Sequence, residues 1–175
     1  MKSNTSKVTK FDDFGLTLKF HLVDDLFIIG LPVQWESFKS DRFRAKTKDE
    51  RTQISITTWN LKDDIQPPFD HELKEIVLPQ YEDYVNKGGY EPHDDLIINE
   101  KYISKSFKVD DETQYYLMTM NNVNGETYLT NLIIRDIGKY DPQKRAALLS
   151  IVSTMKFEYD PQMLKTLLEI KCTMD

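Results

Sequence analysis

Three histidines, one cysteine and a scatter of carboxylates are the side chains of this chain that could carry chemistry. His71 and Glu75 stand at i and i+4, a helical spacing able to hold a metal ion between two ligands. The zinc-protease motif needs His-Glu-x-x-His, and His71-Glu72-Leu73-Lys74-Glu75 ends in glutamate, so the pair reads as a surface ion pair near a helix start. His21 alternates with apolar neighbours and reads as a structural histidine in a strand. His93 follows Pro92 beside Asp94-Asp95 and reads as loop. Cys172 lies near the end of the sequence, where a base and an oxyanion site are hard to preorganise, and it is expected to finish the apolar side of a last helix. With 6 glycines in all, neither Gly-x-Gly-x-x-Gly nor a P-loop is present, and no Gly-x-Ser-x-Gly elbow exists. The expectation is a non-enzyme with no catalytic residue, no metal ligand and no cofactor.

Five Asp-Asp pairs punctuate the chain at 12–13, 24–25, 63–64, 94–95 and 110–111. The Asp-x-Asp-x-Asp-Gly spacing of a calcium loop is missing, so these pairs read as turns whose short acceptor side chains satisfy local backbone groups. The 175 residues carry 23 Lys and Arg against 29 Asp and Glu, a formal net charge of -6. A sequence pI near 5.1 offers no basic surface from which to release counterions, so nucleic acid is not the expected partner. Apolar residues at 39%, including 9 Phe and 9 Tyr, suffice for a folded core. One cysteine excludes an internal disulfide. No secretory signal pattern follows Met1 and no run approaches membrane-helix length, so a cytoplasmic protein without a membrane partner is expected.

The elements that must position any site are legible from periodicity. Residues 16–22 alternate with period two, and residues 26–31 form an apolar run closed by Pro32 and Trp35. Residues 41–47 and 52–59 give two more strands before Gln66-Pro67-Pro68 breaks the pattern. From Phe69 to Asn86 the period becomes helical, with Leu73, Ile76, Val77, Gln80, Tyr81, Tyr84 and Val85 on one face. Asp70 can cap this helix, Gly88-Gly89 can stop it, and Pro79 predicts a kink or two helical pieces. Strands follow at 95–100, 101–109, 113–121 and 126–135. Asp141-Pro142 opens a second helix with core positions Leu148, Ile151, Val152 and Met155, and Asp160-Pro161 opens a short third.

The last two strands meet at Asn124-Gly125, the strongest two-residue hairpin signal. A tight turn there sets Met120 opposite Leu129 and Leu117 opposite Leu132. One face of the hairpin then carries Tyr115, Leu117, Tyr128, Leu132 and Ile134, and the other Tyr116, Met118, Met120, Leu129 and Ile133. Two apolar faces mean that the hairpin is central and covered on both sides, or that one side is a binding surface.

This order of elements, with the Pro-x-x-Trp turn Leu31-Pro32-Val33-Gln34-Trp35, an aromatic hairpin strand containing Tyr128 and the Ser-x-x-Phe-like end Ser153-Thr154-Met155-Lys156-Phe157, resembles the PsbP-like superfamily. The resemblance spans residues 26–157 and implies an α+β fold, a largely antiparallel sheet sandwiched by helices. The expected organisation is a flexible, polar segment 1–10, a single domain of this fold over 11–160 and a helical extension over 161–175, the first strand pair and the last helix lying beyond the common core. The superfamily is mostly non-enzymatic, and one bacterial branch comprises acidic, dimeric cytosolic chaperones of secretion effectors.

Two functional expectations follow. The first is an uncharacterised cytoplasmic bacterial protein that binds a protein partner or itself as a homodimer, in an assembly or chaperone-like role, through Tyr115, Leu117, Tyr128 and Leu132 on the hairpin or Leu164 and Leu168 on the last helix. The second is a small-molecule or enzymatic cleft near Trp35 and Trp59, whose rings could stack a ligand.

Overall fold

A computed structural model describes residues 9–11, 16–38, 40–62 and 65–157. They belong to two compact units, one of Met1–Trp35 with Leu149–Asp175 and one of Glu36–Leu148.

In the first unit β1 (Thr9–Phe11), β2 (Leu16–Val23) and β3 (Phe27–Pro32) form an antiparallel sheet in that order. β2 and β3 pair from Leu18 against Pro32 to Val23 against Phe27. Asp24 and Asp25 both take positive φ (52° and 54°) in the turn, and Leu26 N–H closes it on the Val23 carbonyl at 2.9 Å. Aspartate tolerates this left-handed conformation better than most residues. Leu18, Val23, Phe27, Ile29, Leu31 and Trp35 are buried. Gly30 allows a close approach: its N–H donates to Thr154 Oγ1 at 2.8 Å, where a Cβ would meet that oxygen and Leu18 Cδ1 at 3.2 Å.

The second unit begins with β4 (Glu36–Phe38), β5 (Phe43–Lys46) and β6 (Thr52–Asn60), continues through α1 (Asp70–Asn86) and the two-residue strands β7 (Glu91–Pro92) and β8 (Ile97–Ile98), and reaches β9 (Tyr102–Val109), β10 (Glu112–Val123) and β11 (Glu126–Ile137). These strands make one antiparallel sheet in the order β4-β5-β6-β11-β10-β9-β7, with β8 beside β7 on the outer edge of β9. α2 (Pro142–Ser153) follows, its first turns in this unit and its last in the other.

The hairpin has the expected register, with Met120 opposite Leu129 and Leu117 opposite Leu132. Asn124 (φ 53°) and Gly125 (φ 81°) supply the two positive torsions of its turn. β10 and β11 are the central strands, so the first of the two readings of an all-apolar hairpin holds. On one face α1 sets Leu73, Val77 and Tyr81 into a cluster with Ile103, Phe107, Tyr116, Met118, Met120 and Leu129. On the other, the start of α2 lies over Tyr115, Ser104 and Asp136, reached by Asp141, Arg145 and Lys144. The architecture is α+β and mostly antiparallel.

Three local expectations are corrected. Asp70 does not cap α1: Phe69 occupies the cap position without a side-chain bond, and the Asp70 carboxylate instead accepts from Lys74 Nζ at 3.1 Å. Of the two alternatives at Pro79, that of two separate helical pieces is excluded: α1 runs as one helix, because its sheet-facing residues on either side hold both halves to the same core. The strand expected over 95–100 shrinks to Ile97–Ile98. Gly89 does take positive φ (70°) after α1, where Lys87 and Gly88 N–H both return to the Asp83 carbonyl. The third helix, with Leu164, Leu168 and Cys172, lies outside the described residues.

Candidate functional site

α1 packs on β9 and β10 and does not extend over the other end of the same sheet face. Strand alternation sends Ser55, Thr57 and Trp59 of β6 to that face, as neighbours of Ile133, Asn131 and Leu129. Register carries Arg44 and Lys46 of β5 to the same side beside Ser55 and Gln53, and Phe38 of β4 opposite Arg44. The half of the face that α1 leaves open is therefore polar and basic, with an aromatic ring at each end. Trp59 is 44% exposed and Phe38 36%.

Asp41 organises the cations of this half-face. Arg42 chelates its Oδ2 through Nη2 at 3.0 Å and Nε at 3.3 Å, and Arg44 Nη2 lies 3.4 Å from Oδ1. Hydrogen bonds from Ser40 and Arg42 hold the Asp41 carboxyl at about 2. Arg42 Nη1 also approaches Thr57 Oγ1 at 3.4 Å, tying the guanidinium to the strand surface. Lys46 Nζ sits 5.4 Å from the Phe38 ring centroid and pairs with Glu50. Arg44 Nε and Asn131 Oδ1 have no hydrogen-bond partner among the described residues.

A second cluster lies at the opposite edge, where residues 93–96 pass between β7 and β8 beside β9. Asp94 Oδ1 accepts from Ser106 N–H at 2.9 Å, and His93 N–H donates to the Ser106 carbonyl at 3.0 Å. Arg145 of α2 meets Asp94 Oδ2 through Nη1 at 2.9 Å, and its Nη2 donates to the Asp95 carbonyl at 2.7 Å. Both side chains are nearly buried, Arg145 at 11% and Asp94 at 7% exposure. Tyr140 stacks between Tyr115 and His93, at 6.0 Å and 5.4 Å between ring centroids. Burial pushes the Tyr115 hydroxyl up to about 12, and that oxygen accepts from Asp141 N–H at 2.8 Å. Tyr81 rises above the ordinary tyrosine range, again through burial. These phenols stay protonated at physiological pH, and the cluster fastens α2 to the sheet edge.

The residues expected to bind a partner are distributed differently. Tyr115, Leu117 and Leu132 are fully buried, because the hairpin is central and its faces are packed. They are not a docking surface. Tyr128 is half-buried at the rim, where its hydroxyl donates to Glu126 Oε2 at 2.7 Å. Trp35 is buried and offers no stacking platform, whereas Trp59 is exposed. His71 Nε2 and Glu75 Oε1 lie 3.7 Å apart with both side chains largely exposed, a surface pair as the spacing predicts. Among the described residues no group of three or more His, Cys, Asp or Glu could hold a metal ion. No described helix is long and apolar enough to cross a membrane.

Sequence reasoning missed the open half-face and the Asp94–Arg145 pair. The first was visible in part, since residues 52–59 place Ser55, Thr57 and Trp59 on the side opposite Ile54 and Ile56. What the sequence lacked was the position of α1. Asp94 carried no separate signal, because its Asp-Asp context matched the four turn pairs.

No family model matches the chain, and no curated protein shows significant similarity to it. A crystal structure of a protein from Bacteroides thetaiotaomicron is similar over 77% of this chain and 46% of its own length, at 9% identity with a TM-score of 0.40. This chain thus spans about half the length of that protein, and nothing of activity or partner passes across such a likeness. None of these comparisons bears on the PsbP-like resemblance.

Proposed function

We propose that this chain is a non-enzymatic module that binds a polypeptide partner through the open half of its large sheet, over β4, β5 and β6. One observation carries the reading: α1 packs mainly over β9 and β10, and β4, β5 and β6 present the exposed rings of Phe38 and Trp59 with Arg44 between them. Exposed aromatic and arginine side chains on a rigid, hydrogen-bonded surface are the composition of interface hot spots. The reading keeps the expected class of function but moves its surface from the hairpin to the sheet end. An assembly or chaperone-like role fits it, as does the PsbP-like resemblance, which implies a mostly non-enzymatic superfamily.

Photo-cross-linking tests it. A benzophenone amino acid placed at Thr57 is expected to give a discrete adduct in host lysate that excess unlabelled protein competes away. The same group at Ile137, exposed at the far end of β11, is expected to give none. Equal labelling from both positions, or adducts only between copies of the chain, would overturn the proposal.

A further inference from the structure

We propose that Tyr84 and Tyr90 form an oxidative modification site, where a one-electron oxidant joins their rings into an intramolecular dityrosine. Nothing in it depends on the polypeptide-binding reading. The sequence builds this pair through the turn that ends α1. There Tyr90 N–H returns to the Tyr84 carbonyl at 3.0 Å, and Gly89 takes a positive φ of 70°. At Gly88 a Cβ would meet the Tyr84 carbonyl oxygen at 2.8 Å and the Tyr90 ring at 3.2 Å, so glycine lets the chain fold back this closely. The two rings are thereby stacked, with centroids 5.1 Å apart and planes 27° from parallel.

Chemistry selects this pair among the 9 tyrosines of the chain. The Tyr84 ring also meets Tyr81 and Tyr116, at 6.1 Å and 5.4 Å between centroids, so an electron lost from one ring can be replaced from the next. A tyrosyl radical persists only where the phenol proton can leave. Tyr81 is buried and its hydroxyl has no hydrogen-bond partner among the described residues. Tyr116 is buried too, and its hydroxyl donates at 2.7 Å to Gln114 Oε1, an amide oxygen too weakly basic to take the proton. Tyr84 and Tyr90 are only half-buried, and water can accept theirs. Tyr140 stacks on Tyr115, but Tyr115 is fully buried. With hydrogen peroxide as terminal oxidant, each phenol gives up one electron and its hydroxyl proton. The ring carbons ortho to the two oxygens then bond, their hydrogens pass to the oxygens as the rings regain aromaticity, and the peroxide is reduced to two waters.

The test treats the purified full chain, at low concentration, with a haem peroxidase and hydrogen peroxide, and follows dityrosine fluorescence and the tryptic peptides. Cleavage at Lys74, Lys87 and Lys101 places Tyr84 in peptide 75–87 and Tyr90 in peptide 88–101. The expected product is these two peptides joined, lighter than their sum by two hydrogens, with fragmentation locating the bond at Tyr84. Tyr84→Phe and Tyr90→Phe should each lose this product, and Tyr140→Phe should keep it. Phenylalanine preserves the ring packing, and circular dichroism checks that each variant is folded. A synthetic peptide of residues 75–101, which lacks the sheet, should give a lower yield than the folded chain. An equal yield from that peptide, a joined product that survives Tyr84→Phe, adducts only between copies of the chain, or no adduct at all would overturn the proposal.

Discussion

Removing either member of the Asp94–Arg145 pair should destabilise the second unit far more than removing both. The closest contact is 2.9 Å and both side chains are nearly buried. At an effective dielectric of about 20, opposite charges at that distance attract by roughly 6 kcal/mol. Desolvation costs several kcal/mol for each ion, so the intact pair contributes little net. A single truncation leaves the other charge stranded and is expected to cost about 3–5 kcal/mol. Asp94→Ala also strips the acceptor from Ser106 N–H, so it should be the worse of the two. For a chain of this size that corresponds to a fall in Tm of roughly 6–20 °C. The double variant Asp94→Leu with Arg145→Met replaces the pair by apolar groups and should lie within about 2 kcal/mol of the parent protein. Urea denaturation followed by far-UV circular dichroism of the parent, Asp94→Leu, Arg145→Met and the double variant measures all four corners of the cycle, with Asp94→Ala alongside. Single variants costing under about 1 kcal/mol, or a double variant equal to the sum of the singles, would refute the argument.

Three further outcomes follow from local geometry. Gly125→Ala should cost about 1–2 kcal/mol in urea denaturation, because φ is 81° and the position is otherwise open, leaving backbone strain as the whole effect. Thr154→Val should cost about 1–3 kcal/mol, since Gly30 N–H loses its acceptor, while Thr154→Ser should retain most of the stability. Burial, aided by the charge of Lys19, holds the His21 pKa at about 4 against an ordinary 6.5. The unfolded chain therefore takes up the proton first as pH falls. Stability should drop between pH 6.5 and about 4, by on the order of 2 kcal/mol given the residue's partial exposure, then level off as far as His21 is concerned. His21→Leu should remove that component in parallel unfolding curves.

Much of this architecture was legible because it rests on short-range rules. Asn124-Gly125 dictated the hairpin turn and, through it, every cross-strand pair from Glu112 against Ile137 to Val123 against Glu126. The 3.6-residue period from Leu73 to Tyr84 gave α1, and Asp141-Pro142 gave the start of α2, where Asp141 Oδ1 accepts from Gln143 N–H at 2.8 Å. Illegible were the features that depend on which elements meet. Nothing local states that α1 stops short of β6, and that fact leaves Trp59 and Arg44 at a surface; Leu117, on the opposite face, is buried because β10 is central. Asp94 finds Arg145 across about fifty positions of sequence, a distance at which alternation and capping carry no signal. Pro79 predicts a kink or two helical pieces from local propensity alone, and the core contacts of Val77 and Tyr81 on either side keep α1 in one piece.

The two indoles allow a direct test of the surface itself. Trp35 is buried and Trp59 exposed, so their indole N–H resonances are independent reporters in the same sample. Titrating the partner captured by the Thr57 cross-linker into isotope-labelled protein should shift the Trp59 indole and the amides of Arg44 and Thr57, and leave Trp35 and the β9 amides of Ile103 and Phe107 in place. Saturation of binding with an unmoved Trp59 signal, or with shifts centred on β9 and β10, would contradict the assignment of the open half-face as the binding surface.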